Sequence, residues 1–140
     1  MILTEIEALV KAIPACPFRL VQGAAELALL KDSPTALPAA YILVKEEASD
    51  DNSRMSDAVL QVTHCDFAVV IVTGNVADKT GGAAAVGLEA LKGDVRKALV
   101  GKTPAGANDL ITHVSGTLVR AANGVLWWEE VFATSYLLEA

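Results

Sequence analysis

Few residues in this chain have the types and spacing that chemistry needs. His64, Cys65 and Asp66 are consecutive. They supply an imidazole, a thiol and a carboxylate, the parts of an activated nucleophile or of a metal site. The segment around them reads as a β-strand, however, and neighbours on a strand point to opposite faces. His64 and Cys65 therefore cannot converge on one atom. His64 and Asp66 share a face, and a structural hydrogen-bonded pair is the plainer expectation for them. His113 stands alone, with no HxH or HxxxH partner. Gly81-Gly82 precedes a helical segment, where backbone N–H groups can cradle phosphate, but neither GxGxxG nor GxxxxGKS/T is complete. Gly101-Lys102-Thr103 ends like a phosphate loop yet follows a helix instead of preceding one. Ser115 lacks the GxSxG elbow. Glu46, Glu47, Asp50, Asp51 and Asn52 form an acidic cluster without the ligand spacing of a calcium loop, and a solvated loop accounts for them. Cys16 and Cys65 share no CxxC spacing and read as reduced, buried thiols. No catalytic residue, cofactor-binding residue or metal ligand is assigned, and the chain reads as a non-enzyme without a cofactor.

The elements that carry these residues follow from periodicity. Thr4-Glu5-Ile6-Glu7 has the form of a capping box, and Ile6, Leu9, Val10 and Ile13 form a helical stripe. Pro14 and Pro17 end that helix. Phe18–Val21 is a short strand, and Ala24–Leu30 a short helix closed by Asp32-Ser33-Pro34. Leu37–Val44 is a strand, followed by an exposed, mobile acidic loop from Glu46 to Arg54. Val59–Thr73 is a long strand. A loop from Gly74 through Gly82 leads to a helix at about Ala83–Val100. Its buried stripe is Val86, Ala90, Leu91, Val95, Ala98 and Leu99, with Glu89, Lys92, Arg96 and Lys97 opposite and Gly101 as C-terminal cap. Leu110–Ala121 and Val125–Leu138 are strands joined by Asn123-Gly124, a strong hairpin signal. The order α-β-α-β-β-α-β-β predicts an α+β fold with a mostly antiparallel four- to five-stranded sheet and helices packed on one face.

The chain has 140 residues, the size of one domain, taken as 1–140. It is 53% hydrophobic, with a net charge of −6. The acidic balance argues against tight binding to nucleic-acid phosphates. No apolar run is long enough to span a membrane, and the N-terminus lacks a secretory pattern, so a cytosolic site of synthesis is expected.

The strands are apolar on both sides. Phe67, Val69 and Ile71 oppose Ala68, Val70 and Val72, while Val125, Trp127 and Val131 oppose Leu126, Trp128 and Phe132. The chain's helices can cover about one face, and a bare second face larger than monomers tolerate predicts self-association, the alternative being that the sheet curls or that loops fold over it. Trp127 and Val131, with Asp50, Asp51 and Arg54 in the acidic loop, are the candidate contacts to another subunit or a partner.

An ordered set of segments carries a family likeness. It comprises Leu37-Pro38-Ala39-Ala40-Tyr41-Ile42-Leu43, the strand from Leu60 to Val70, Leu88-Glu89-Ala90-Leu91, Val95-Arg96, Ala98-Leu99, Thr103-Pro104-Ala105-Gly106 and Asn123 to Phe132. The chain resembles the tail terminator proteins of long-tailed and Mu-like bacteriophages from about Met1 to Leu138. The resemblance implies a ring, usually hexameric, at the head-proximal end of the tail tube. There it would stop tube growth and meet head-completion or connector proteins, in a virion tail assembled in the host cytoplasm. It brings no catalytic residues. DNA would pass the lumen without specific binding, and no membrane partner is implied. Two other readings are a head–tail connector or tail tube protein, and a small cytosolic α+β enzyme or ligand-binding domain. The latter requires a concave pocket with convergent polar groups.

Overall fold

The computed structural model describes residues 2–30, 34–54, 58–74 and 82–140. The expected turn at Asp32-Ser33 and the loop through Gly81 lie outside them, as does the side chain of Val86. The elements are α1 (Ile2–Lys11), β1 (Leu20–Gly23), α2 (Ala24–Ala28), β2 (Ala39–Ser49), β3 (Leu60–Gly74), α3 (Gly82–Leu99), β4 (Thr112–Ala122) and β5 (Val125–Glu139). Their order is the one the periodicity predicts.

The strands form one sheet in the order β1-β2-β3-β5-β4. Every pairing is antiparallel except β1 with β2, which is parallel. Asn123 and Gly124, with φ of 55° and 79°, turn β4 into β5. Positive φ at both central residues is what a two-residue hairpin demands. Gly101, at φ 82°, ends α3 as expected.

Thr4 does not cap α1. The helix starts at Ile2, because Ile2 and Leu3 both pack against the core and draw the helix a turn upstream. Helix α3 buries Leu88, Leu91, Val95 and Leu99, whereas Ala90, expected inside, is exposed. Lys92 and Arg96 consequently lie at the margin of the buried face and reach over the sheet.

Helices α1 and α3 cover one face, built on Ala40, Ile42, Cys65, Phe67, Val69, Ile71 and Phe132. Phe67 and Phe132 stack there with ring centroids 5.6 Å apart, and burying each such ring is worth about 2–3 kcal/mol. The second face is also apolar, as the strand pattern predicts, but it is not bare. Ala39, Tyr41, Val70, Val72 and Val125 are buried there beneath Leu27 of α2, Leu30 and Leu37. The short helix and the chain after it therefore roof the half of the second face nearest β1.

Beyond the helices, β2, β3 and β5 continue as an arm that mixes charged residues such as Glu46, Glu47 and His64 with the exposed Leu137 and Leu138. Glu46–Ser49, expected as loop, belong to β2 and pair with Thr63–Asp66. Asp50–Arg54 are tied down rather than free. The Asp50 N–H donates to Val62 O at 2.9 Å, the Leu60 N–H to Asn52 Oδ1 at 2.9 Å, and Gln61 Nε2 to Asp50 O at 2.8 Å. Arg54 reaches Glu139 across the arm at 3.4 Å.

Candidate functional site

The sequence-predicted chemistry disperses in space. Cys65 lies on the helix-covered face with no exposure. Burial, with Glu47 and Asp66 nearby, pushes its thiol up to about 11, so almost no thiolate exists at neutral pH. His64 points to the other side and pairs with Asp50, not with Asp66: Nε2 lies 3.1 Å from both Asp50 oxygens. Both side chains are more than half exposed, so the pair contributes little, about 0–1 kcal/mol. Cys16 is half-buried and directs its thiol toward Val10 O at 3.6 Å. Among the described residues no cluster of three or more metal-ligating side chains occurs.

The most concentrated polar group is one the residue pattern did not single out. Glu130 sits mid-strand in β5, on the helix-covered face, and is fully buried. Arg96 of α3 grips it with a fork: Nε donates to Oε2 and a terminal guanidinium nitrogen to Oε1, both at 2.8 Å. Trp128 Nε1 donates to Oε1 at 2.7 Å. His113 Nε2 stands 2.9 Å from Oε2, and since a carboxylate only accepts, that nitrogen carries the proton. Lys92 lies 4.2 Å above the Trp128 ring, a cation–π contact that steadies the indole. Burial pushes the Glu130 carboxyl up, but the hydrogen bonds from Arg96 and Trp128 and the charges of Arg96 and His113 outweigh it. The group is held below its ordinary range.

Four donors saturate the two oxygens, so the carboxylate has no lone pair left for a metal or a substrate proton. Its role is mechanical: it binds α3, β5 and β4 together at one point. Gly116 of β4 makes room for it. A Cβ there would lie 2.6 Å from Glu130 Oε1 and 2.7 Å from Trp128 Cζ2, closer than real side chains come. Alternation along β5 could have revealed the site: Trp128, Glu130 and Phe132 share a face, and a carboxylate among them must find donors.

Outside this anchor, β4 stands clear of both helix layers. All of Thr112–Ala121 is exposed, including Val114, Leu118 and Val119. Two irregularities in register interrupt its pairing with β5, one at Val114 and one at Val119. The five predicted contact residues fall into two groups. Trp127 and Val131 are half-buried on the second face, Trp127 at the edge of the cluster roofed by α2. Asp50, Asp51 and Arg54 are exposed in the arm.

A groove of about 490 Å³ between α1 and α3 is lined by Leu9, Ile13, Pro14 and Ala98 together with the charged Asp94, Lys97 and Lys102.

The sequence model of a family described as phage tail terminator protein matches residues 3–140. The chain belongs to the phage tail terminator protein family. Among solved structures, a chain of the virion of a native gene transfer agent particle is similar, at 19% identity and a TM-score of 0.52. The match covers 95% of this chain and 84% of that one, and it is a likeness of fold. No curated protein matches the sequence. Membership of this family supports a structural role in a phage tail.

Proposed function

We propose that the chain closes a homo-oligomeric ring, a hexamer, at the head-proximal end of the phage tail tube. There it stops tube polymerisation and offers the surface to which the head-completion or connector protein docks. The observation that carries this reading is the family match across residues 3–140. In this account the chain is made in the host cytoplasm and ends in the virion tail as one domain, 1–140. It acts without catalysis or cofactor.

The geometry supports the reading in three places. The exposed strand β4, with Val114, Leu118 and Val119, is an adhesive edge a monomer has no use for. Val131 and the margin of Trp127 adjoin it on the second face. Asp50, Asp51 and Arg54 cap an arm that projects beyond the helices, and they serve as contacts to the tube or a neighbouring subunit. The net charge of −6 gives a ring of six about −36, and like charge keeps DNA from sticking as it traverses the opening.

Assembly of tails with and without the protein tests the function. Omission should give tube lengths that no longer cluster at one value and tails that fail to join heads. Adding the purified chain should restore both. Tails of normal length without the chain would refute the reading.

A further inference from the structure

We propose that neighbouring copies join edge to edge, with β4 of one copy pairing antiparallel to the open half of β2 in the next. A single sheet then runs from subunit to subunit. This deepens the ring reading and rests on it.

Besides the short outer edge of the four-residue β1, the sheet has two longer unfinished edges among the described residues. One is β4, whose element-level packing is against β5 and whose outer N–H and C=O row faces solvent. The other is on β2. Strand β1 covers β2 only from Ala39 to Ile42, so Leu43–Ser49 are paired on the β3 side alone, except Lys45, which bulges out of that pairing and turns to Glu129. Proteins guard such edges with lysine, proline or bulges. Strand β4 has two bulges, but they carry Val114 and Val119, and those apolar side chains invite a partner.

Strand polarity fits. Each of the steps β2–β3, β3–β5 and β5–β4 is antiparallel, so β4 runs opposite to β2. Copies related by rotation with the same face inward therefore bring β4 beside β2 in antiparallel order. The two edges differ, so the contact is head-to-tail, the kind that closes rings.

Charge fits as well. Glu46 lies directly across from Asp66, a like-charge pair that costs stability. Among the described residues neither has a cationic partner, and Arg120 of β4 pairs with no carboxylate. Following the register through Asp66–Ala133–Thr112 and Trp127–Arg120, Glu46 and Arg120 share the second face. They differ in level by the six residues from Trp127 to Ala133 on β5. Closed sheets tilt their strands by 35–45°, which staggers successive four-strand units by about 16 Å, roughly five residues. Taken in the direction that raises β4 against the next copy's β2, this stagger brings Arg120 to within about one residue of the level of Glu46 and its Asp66 neighbour.

The test is charge exchange, read by sedimentation velocity of the full chain and by decoration of tail tubes. Glu46→Arg and Arg120→Glu should each weaken association roughly tenfold, and the double exchange should return it to within about threefold of the original. Circular dichroism confirms that each variant is folded. Val119→Lys, at an exposed bulge, should weaken association without lowering the melting temperature. If the unaltered chain forms rings but these variants associate equally well, or the double exchange restores nothing, edge pairing is overturned and the ring stands. If the unaltered chain forms no ring in solution or on tubes, the ring reading itself fails.

Discussion

Removing Arg96 exposes how the β4–β5 hairpin is held to the body of the protein. In Arg96→Ala the fully buried Glu130 loses two charge-assisted hydrogen bonds of 2.8 Å and keeps only Trp128 and His113. Breaking a buried ion pair by deleting one partner costs about 3–5 kcal/mol. Two remaining donors soften the loss, as does the partial exposure of Arg96 (42%), giving an expected cost of about 2–3 kcal/mol. For a chain of this size that is a fall in melting temperature of about 5–10 °C. The decisive comparison is a cycle with Glu130→Gln, which removes the buried charge and keeps the volume. In that background Arg96→Ala should cost less than about 1 kcal/mol, because no unpaired charge is left behind. The sign of the pH dependence is fixed by the same geometry. The folded carboxyl of Glu130 lies below its ordinary value, so its contribution is full above the unfolded carboxylate range near 4.3 and is lost as pH falls through the folded value. The stability gap between the original protein and Glu130→Gln, measured by urea unfolding, should therefore shrink between about pH 5 and pH 3. An equal Arg96→Ala cost in both backgrounds, or a gap unchanged at pH 3, would refute the assignment of Glu130 as a charged anchor.

Three further outcomes follow from the packing. Gly116→Ala forces a methyl group against Glu130 and Trp128 and should cost about 1–3 kcal/mol in a thermal melt. Cys65 should resist thiol reagents at neutral pH until the chain unfolds, given its burial and raised thiol, which a timed labelling assay with and without denaturant checks. Trp127→Asp should reduce stability as well as association, because Trp127 packs against the cluster under α2; a drop in association with an unchanged melting temperature would show that its whole effect lies between subunits.

Much of the fold was legible because the determinants are local. Asn123-Gly124 dictates its hairpin, and the unbroken apolar runs of β3 and β5 mark them as strands with two apolar faces. What escaped depends on distant partners. Thr4 has the form of a cap, yet core contacts of Ile2 and Leu3 moved the helix start. His64 shares a strand face with Asp66, but the extension of β2 brought Asp50 closer. The apolar second face implied a missing cover, and α2, only five residues long, supplies part of it from within the chain. That moves the argument for assembly from Trp127 toward β4, whose exposure no periodicity reveals, since an edge position is a property of topology. Glu130 and Arg96 are 34 residues apart, and only the packing of α3 on β5 unites them.

Electron cryomicroscopy of intact tails puts the central claim to the most direct trial. The account predicts density for this chain as one closed ring at the head-proximal end of the tube, with strand density continuous from each β4 to the neighbouring β2. Copies distributed along the length of the tube, or no copy at the head-proximal end, would contradict it.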